Sequence, residues 1–401
     1  MYNIQQINND YYYIGCNDRR IALFESVYPV KDGVSYNSYF LNDEKTVLFD
    51  TVDKSCFGQF FDNLLYLLNG KSLDYFVINH IEPDHSALIK DVIEKFPNVK
   101  IVCNQKLKQM LFQFFDFDID IENNFHIVKE NDSINTGKHN LVFVMAPMVH
   151  WPEVMVTYDA TDKILFSADA FGSFGAISGN LFDEDTELNI DEYRRYYTNI
   201  VGKYGVQTNA LLNKAKNLDI KMICPLHGVI LKSKIKELFE KYVLWANYTP
   251  EIKSCLVVYS SVYGGTQNAA DVVAVKLAQN GIKNIKTYNI SQSDSSEVLA
   301  QCFKYSHILL ATTTYNNEVF VTMDNFVNNL IKHNLQNRTY AIIENGSWAC
   351  NCGETLKSKI EKMKNSKILE NKITLKSTLK KSQSSEIDEI AKNLANDIKT
   401  N

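Results

Sequence analysis

The chain has 401 residues, of which 45% are apolar and 22% charged, and a formal net charge of −5. This length predicts two or three domains, and the composition is that of a folded globular protein. Net negative charge without a long basic run argues against nucleic acid as a partner.

The N-terminus and the cysteines bear on cellular location. The first ten residues lack a basic region followed by an apolar stretch, so we predict no signal peptide. The longest apolar runs, such as 141–146, are too short to cross a membrane. The eight cysteines have no framework spacing, and only Cys350 and Cys352 lie close together, at a spacing unsuited to a zinc knuckle or a redox pair. We therefore expect a cytoplasmic protein with reduced thiols.

Residues 1 to about 250 mix short strands with helices. Segments 154–158 and 163–167 are joined by Asp159-Ala-Thr-Asp162, which predicts a hairpin. Mixed sheets flanked by helices are the expected architecture. The predicted strands are 21–24, 36–41, 45–49, 75–79, 101–103, 141–146, 154–158, 163–167 and 222–224, and the predicted helices are 55–68 and 86–96.

Acids and histidines cluster where the predicted strand 75–79 ends: His80, Glu82, Asp84 and His85. Polar groups beside a core are costly unless something holds them charged and hydrogen-bonded, and a metal would do so. An isolated histidine after a strand is more often a hydrogen-bonded loop residue than a ligand. Here, however, other predicted strands also end in His or Asp, and this joint pattern favours metal. These further candidates are His150, Asp169 and His227.

From residue 256 the pattern becomes a strict alternation of strands and helices. It predicts a doubly wound parallel sheet of about five strands. The boundary is expected near Pro250, which gives domains 1–250 and 251–401. The predicted strands are 256–259, 286–289, 307–311, 340–344 and 373–375, and the predicted helices are 266–280, 296–303, 323–333, one from about 354, and 384–400.

The loop after the first of these strands, 260–266, reads Ser-Ser-Val-Tyr-Gly-Gly-Thr. Small residues before a helix allow backbone N–H groups to face an anion, and the helix N-terminus adds a favourable dipole. A Gly-Gly-Thr turn alone could be any connection between a strand and a helix. The absence of Gly-Lys-Ser/Thr argues against a nucleoside triphosphate.

The motif His80-x-Glu82-x-Asp84-His85, with His150, Asp169 and His227 downstream, resembles the diiron site of the flavodiiron proteins. Tyr36-Asn-Ser-Tyr39, His150-Trp-Pro152, 167–172 and 224–228 also match, and the resemblance covers essentially the whole chain. It implies an N-terminal metallo-β-lactamase-like αββα sandwich, followed by a flavodoxin-like domain with a doubly wound parallel five-stranded sheet.

The resemblance also implies a set of ligands for two irons. One iron would be held by His80, Glu82 and His150, and the other by Asp84, His85 and His227, with Asp169 as the bridge. Whether His85 binds directly is left open. Hydrolytic members of the fold carry a histidine at the position of Glu82, and the added carboxylate suits iron better than zinc.

The loops of the second domain resemble those of flavodoxin, which implies bound FMN. Tyr315 or Trp348 could stack on the flavin ring, and Asn316, Asn345 and Gly346 could meet its polar edge. Thr313 stands where the family usually has proline. The expected FMN-binding residues are Ser260, Ser261, Val262, Tyr263, Gly264, Gly265, Thr266, Thr312, Thr313, Thr314, Tyr315, Asn316, Asn345, Gly346, Ser347 and Trp348.

Three residues are candidates for a role around the irons. Glu25 occupies a position where family members commonly have a histidine. Tyr196 and Tyr197 are candidate phenols beside the metals, although core packing is the expected role of at least one of them.

The implied function is a flavodiiron oxidoreductase. It would reduce dioxygen to water with four electrons, or nitric oxide to nitrous oxide with two, and so detoxify these gases, with dioxygen expected as the better substrate. The electrons would come from an external donor, such as rubredoxin or a reductase, and pass through FMN. A head-to-tail homodimer, possibly paired into a tetramer, would bring the two cofactors together. The alternatives are a dizinc hydrolase with an appended flavodoxin domain and a pure electron carrier.

Overall fold

The computed structural model describes residues 2–400. They form two compact units, one of residues 2–197 with 206–243, and one of residues 198–205 with 244–400. The domain bounds 1–250 and 251–401 stay a prediction.

Short strands dominate the chain up to residue 246. The strands are β1 (Gln5–Gln6), β2 (Tyr11–Tyr13), β3 (Cys16–Asp18), β4 (Leu23–Phe24), β5 (Tyr28–Pro29), β6 (Val34–Tyr36), β7 (Tyr39–Asn42), β8 (Thr46–Phe49), β9 (Tyr75–Val77), β10 (Lys100–Cys103), β11 (Phe125–Ile127), β12 (Ser133–Asn135), β13 (Asn140–Met145), β14 (Met155–Asp159), β15 (Ile164–Phe166) and β16 (Met222–Cys224). The helices are α1 (Phe57–Leu68), α2 (Pro83–Ser86), α3 (Ile89–Lys95), α4 (Gln105–Phe114), α5 (Ile190–Tyr196), α6 (Gly205–Ala215) and α7 (Ile235–Ala246).

The first unit contains two mixed sheets and two two-stranded sheets, β3-β6 and β4-β5. One mixed sheet has the order β1-β2-β7-β8-β9-β10-β11 and the other β12-β13-β14-β15-β16. Their apolar faces share one core, in which Phe49 of β8 stacks on Phe166 of β15 with ring centroids 4.2 Å apart. Helix α1 packs on β7, and it buries Phe60, Leu64 and Leu68 at helical spacing on one face.

Several predicted elements of this unit differ in detail. The predicted strand 36–41 is interrupted at Asn37, whose side-chain amide donates to the carbonyl oxygens of Pro225 and Gly228, both at 2.8 Å. The predicted helix 86–96 is two helices, and α2 begins earlier because Pro83 suits the first turn of a helix. The predicted hairpin is confirmed, with Asp159 opposite Ile164.

The expectation of reduced thiols throughout is wrong. Cys16, which begins β3, forms a disulfide with Cys56, which ends a short 3-10 helix before α1. The two cysteines are 40 residues apart in the chain, and neither belongs to a recognisable framework. Pairing across that distance depends on the fold, so spacing alone could not reveal it.

The second unit is built on a parallel sheet of order β18-β17-β19-β21-β22, with β23 also parallel to β21. The short β20 pairs antiparallel with the end of β19. This order, with the second strand outside the first, is that of a flavodoxin-like sheet, as predicted. The strands are β17 (Ile252–Tyr259), β18 (Lys286–Asn289), β19 (Tyr305–Tyr315), β20 (Glu318–Val319), β21 (Thr339–Asn345), β22 (Lys367–Ile368) and β23 (Ile373–Leu375), and the helices are α8 (Gly265–Gln279), α9 (Ser295–Lys304), α10 (Val321–Lys332), α11 (Cys352–Ile360) and α12 (Ser384–Thr400).

None of the helices within residues 2–400 has the length and apolar character needed to cross a bilayer.

Candidate functional site

The seven predicted metal ligands come from loops at strand ends of the first unit. His80 and Glu82 lie between β9 and α2, and the short helix α2 itself carries Asp84 and His85. The other three ligands follow β13, β15 and β16: His150, Asp169 and His227. The structure brings these side chains into two neighbouring groups, whose ligand atoms lie within 4.8 Å of one another in each group.

The first group contains His80, Glu82, His150 and Asp169. Nε2 of His150 lies 2.9 Å from Oε2 of Glu82 and 3.1 Å from Oδ2 of Asp169. Nε2 of His80 lies 3.2 Å from the same Glu82 oxygen. Two imidazole nitrogens and two carboxylate oxygens therefore face one point. We call this the first metal position.

The second group contains Asp84, His85 and His227. The Nε2 atoms of the two histidines lie 3.0 Å apart, and that of His227 is 3.2 Å from Oδ2 of Asp84. Oδ1 of Asp169 is 3.3 Å from Nε2 of His85. We call this the second metal position, and Asp169 faces both positions with different oxygens.

The pKa shifts of the histidines and of Asp169 indicate that the cluster favours positive charge. Burial lowers the pKa of His150, but hydrogen bonds with Asp169 and Glu82 raise it more, to about 9. The pKa of His80 lies well above its ordinary value for the same reasons. Burial raises the pKa of Asp169, yet its hydrogen bonds with His150 and His80 bring it well below the ordinary range. The carboxylates of the cluster therefore favour bound cations.

The residues fit a pair of metal ions. Within residues 2–400, both carboxylate oxygens of Asp84 and Oδ1 of Asp169 are buried without a hydrogen-bond partner. Such atoms are destabilising unless a cation or a donor compensates them. Imidazoles with carboxylates form a donor set suited to iron.

Sequence reasoning missed the residues that hold the ligands in place. Asp50 accepts hydrogen bonds from the backbone N–H groups of Asn79 and His80, at 2.7 and 3.2 Å. The Thr51 hydroxyl donates to the carbonyl of His85 at 2.7 Å. Oε1 of Glu153 lies 2.8 Å from Nδ1 of His80. Asp50 directly follows β8, so the strand-end pattern could have found it, whereas no pattern marks Glu153.

The three candidates around the irons occupy different environments. Glu25 is exposed overall, yet partial burial of its carboxylate and the nearby charge of Glu82 raise the pKa of Glu25 to about 8. The ring of Tyr196 lies 5.3 Å from that of His227, and its hydroxyl is buried with no hydrogen-bond partner in the described part of the chain. Tyr197 packs edge-on against Tyr242 at 4.9 Å. Tyr196 is thus beside the cluster, whereas Tyr197 has the packing expected of a core aromatic.

A cavity of about 440 Å³ lies in the second unit, a volume within the range of small-molecule sites. Its walls come from the ends of β19 and β21 and from the loops that follow β17, β19, β21 and β23, at the carboxyl ends of the strands, where such sheets bind ligands. Tyr263 and Trp348 on its wall are 98% and 95% exposed, so both rings are free to cover a flat ligand. The predicted FMN residues that line it are Ser261, Val262, Tyr263, Gly265, Thr266, Thr313, Thr314, Tyr315, Asn316, Asn345, Ser347 and Trp348.

Four predicted FMN residues do not line the cavity: Ser260, Gly264, Thr312 and Gly346. Ser260 and Thr312 are buried and hydrogen-bonded to each other at 2.7 Å. Sequence reasoning missed Asn317, Ala349, Ser377 and Thr378, which do line it. The last two follow β23, where no matching motif was found.

The loop before α8 depends on its two glycines. Gly264 has a φ of +90°, a conformation that disfavours other residues. A Cβ on Gly265 would lie 2.2 Å from the carbonyl oxygen of Ser377. Nδ2 of Asn345 donates to the Thr266 hydroxyl at 3.1 Å, and Oδ1 of Asn345 is buried with no hydrogen-bond partner from residues 2 to 400. The glycine backbone at the N-terminus of α8 fits a bound phosphate group, and the Asn345 oxygen could accept a hydrogen bond from an N–H or O–H group of a ligand.

Comparisons with known proteins agree with this pair of sites. Residues 34–228 match the family model described as ODP family beta lactamase. An uncharacterized protein of Methanocaldococcus jannaschii is 34% identical over 81% of this chain and 81% of its own length. An anaerobic nitric oxide reductase flavorubredoxin of Pectobacterium atrosepticum is 30% identical over 85% of this chain and 68% of its own length. The chain belongs to the flavodiiron family. A Vibrio vulnificus flavorubredoxin is 34% identical over 78% of this flavodiiron chain, which spans only 63% of that relative's length.

Solved structures show the same fold. Rubredoxin oxygen:oxidoreductase from Desulfovibrio gigas superposes on this flavodiiron chain with a TM-score of 0.92, at 24% identity and 99% coverage of both chains. The flavodiiron protein of Giardia intestinalis also gives 0.92, at 24% identity, with 99% of this chain and 97% of its own covered. The predicted metallo-β-lactamase-like and flavodoxin-like fold classes are confirmed. Membership of the family makes the chain a flavodiiron oxidoreductase in general terms.

Proposed function

We propose that the chain binds two irons in the first unit and FMN in the second, and that it reduces a diatomic gas with electrons from an external donor. When bound, FMN would supply electron transfer, and the irons would bind and reduce the gas. The observation that carries the proposal is the pair of ligand groups that share Asp169, in a chain that also has a flavin-sized cavity.

The side chains of the metal cluster are proposed to bind the two irons as two sets of ligands. His80, Glu82 and His150 are proposed ligands of one iron, and Asp84, His85 and His227 of the other. Asp169 would hold the two positions together through its separate oxygens. The short His85–His227 distance supports direct binding by His85, since both nitrogens face the same point.

Tyr196 is the proposed hydrogen-bond donor toward the gas side of the cluster. Burial and the charges of Asp169, Asp84 and Glu82 raise the pKa of its phenol well above the ordinary value. The hydroxyl therefore keeps its proton at neutral pH, so it can donate a hydrogen bond.

The gas is proposed to be dioxygen, reduced to water, or nitric oxide, reduced to nitrous oxide. Two relatives are named nitric oxide reductases, and one structural neighbour is named a rubredoxin oxygen:oxidoreductase. These names also support a rubredoxin-type donor. The head-to-tail homodimer, possibly a tetramer, and the cytoplasmic location remain part of the proposal.

The test combines metal and flavin analysis with gas consumption. We expect about two irons and one FMN per chain, and uptake of dioxygen or nitric oxide at an electrode once a reduced rubredoxin is added. Tightly bound zinc without redox-active iron would support the hydrolase instead. Bound flavin without gas uptake would support a pure electron carrier.

A further inference from the structure

Glu153 is a fully buried carboxylate directly behind the first metal position. Its side chain is 0% exposed, and its Oε1 lies 2.8 Å from Nδ1 of His80. The same oxygen accepts the backbone N–H of Ile81 at 3.1 Å. Asn104 fixes the Glu153 backbone by donating to its carbonyl at 2.6 Å. Because His80 offers its Nδ1 proton to Glu153, its Nε2 lone pair is directed at the metal position.

The hydrogen bonding of Glu153 is incomplete. Its Oε2 is buried and has no hydrogen-bond partner within residues 2–400. A buried negative charge of this kind is destabilising unless positive charge lies nearby. A metal ion on Nε2 of His80 would sit one imidazole ring away and would provide that compensation.

The histidines of the second metal position lack such support. Nδ1 of His227 donates to the backbone carbonyl of Ser35 at 2.7 Å, a neutral acceptor. Nδ1 of His85 is buried and has no hydrogen-bond partner among the described residues. With Asp169 counted at both positions, each has four donor residues, so the difference lies in the partners of the histidines. An anionic partner makes an imidazole a stronger ligand than a neutral partner does.

We propose that Glu153 is a positioning residue that makes the two metal positions unequal. The first position binds its metal more tightly and fills first, and the second fills later and empties first. This inference rests on the proposed two-metal site, but it concerns affinity and not the reaction.

The test is a Co²⁺ titration of the full chain after the metal has been removed with a chelator. Bound metal is counted by elemental analysis, and each step is followed by its visible cobalt absorption. We expect two resolved steps in the unmodified protein. Glu153→Gln should weaken the tighter step by about 10- to 100-fold, shift its cobalt spectrum and leave the weaker step unchanged.

A second variant assigns the weaker step. Asp84→Asn removes the negative charge from a ligand of the second position only, so it should weaken the weaker step and spare the tighter one. Glu130→Gln is the matched control. Glu130 is an exposed carboxylate that also accepts a backbone N–H, from Met145 at 2.9 Å, and its variant should leave both steps unchanged.

Each outcome can be interpreted separately. A single unresolved step in the unmodified protein, or equal weakening of both steps by Glu153→Gln, would overturn the inference while leaving two-metal binding intact. Fewer than two bound ions in the unmodified protein would remove the proposed function as well. If Glu153→Gln fails to fold by circular dichroism, Glu153→Asp takes its place. Glu153→Asp keeps the charge on a shorter side chain, so selective weakening of the tighter step is again expected. An unchanged tighter step in Glu153→Asp would overturn the inference.

Discussion

Asp169 is the side chain through which the two metal positions meet. Its Oδ2 faces Nε2 of His150 at 3.1 Å, and its Oδ1 faces Nε2 of His85 at 3.3 Å. The carboxylate is 1% exposed, and hydrogen bonds with histidines keep it ionised against the effect of burial. One residue thus supplies negative charge to both positions.

Replacing Asp169 with Ala should remove most of the bound metal. Both positions lose a donor, so we expect metal binding to weaken by at least about tenfold, with FMN content unchanged because the flavin cavity lies in the other unit. Elemental analysis and flavin absorbance measure the two contents. Asp219→Ala, an exposed partner of Lys163, is the control. Full metal content in Asp169→Ala would contradict the bridging role.

Single residues also show what the sequence could and could not predict about the site. His150, Asp169 and His227 could be proposed because each follows a strand, and strand ends converge at a sheet edge. Glu153 could not, because its partner His80 lies 73 positions away and only the folded chain brings them together. The same holds for the Cys16–Cys56 disulfide.

At the scale of elements, the start of α8 and the loop before it, residues 260–266, form the proposed flavin cradle. Gly264 adopts a left-handed conformation and Gly265 passes close to the Ser377 carbonyl, and both shape the backbone that leads into the helix N-terminus, where an anion is favoured. Thr266 is buried there and accepts a hydrogen bond from Asn345.

Thr266→Ala should weaken FMN binding about tenfold, which is the effect of losing one hydrogen bond between the Thr266 hydroxyl and the FMN phosphate. Gly265→Ala should weaken it further, because the added Cβ would overlap the Ser377 carbonyl and displace the loop. Flavin absorbance retained after gel filtration measures both effects. Thr322→Ala is the control, because the Thr322 hydroxyl forms a hydrogen bond with that of Ser291 at the surface. Unchanged retention in both cradle variants would disprove the cradle.

His139 links three elements of the first unit through carboxylates. Its Nδ1 lies 2.8 Å from Oδ2 of Asp159 at the end of β14, and its Nε2 lies 3.1 Å from Oδ2 of Asp10 beside β2. Both nitrogens face acceptors, so the doubly protonated imidazolium fits best. Burial lowers the pKa of His139, but the hydrogen bonds with Asp159 and Asp10 raise it above its ordinary value.

The sign of this pKa shift predicts how stability changes with pH. Because the pKa of His139 is higher in the folded chain than in the unfolded chain, its protonated form stabilises the fold. This stabilisation is complete at pH values below the unfolded pKa of about 6.5. That stabilisation is lost as pH rises through the folded pKa. His139→Gln should therefore lower the free energy of unfolding by about 2 kcal/mol at pH 6 and by less at pH 9. Urea unfolding at the two pH values measures this. His126→Gln, at an exposed position on β11, is the control, and an equal loss at both pH values would contradict the charged network.

The two units also differ in how readily their elements were predicted. In the second unit the central strands β17, β19 and β21 are buried along most of their length, so their apolar runs stand out. In the first unit, β1, β3 and β12 are two or three residues long, with polar sequences. Pairing with neighbouring strands defines them, and no local periodicity marks them.

At the scale of the whole molecule, the proposed activity needs electrons to move from a flavin in one unit to metals in the other. Each site lies at strand ends of its own unit. A head-to-tail dimer, in which the flavin of one subunit faces the metal cluster of its partner, would supply the route. A dimer with twofold symmetry contains this contact two times, so each metal cluster would face the flavin of the other subunit.

The last prediction is that activity requires this dimer and that dioxygen is turned over faster than nitric oxide. Dilution below the dissociation constant of the dimer should lower turnover per chain, while metal and flavin contents stay constant. Sedimentation of the active species and electrode measurements with each gas, under excess reduced donor, test both parts. An active monomer would contradict the dimer requirement, and faster nitric oxide turnover would reverse the order of the gases. Glu25→His offers a further probe, because it replaces a carboxylate near Glu82 with an imidazole, and a changed ratio of the two rates would link Glu25 to the choice of gas.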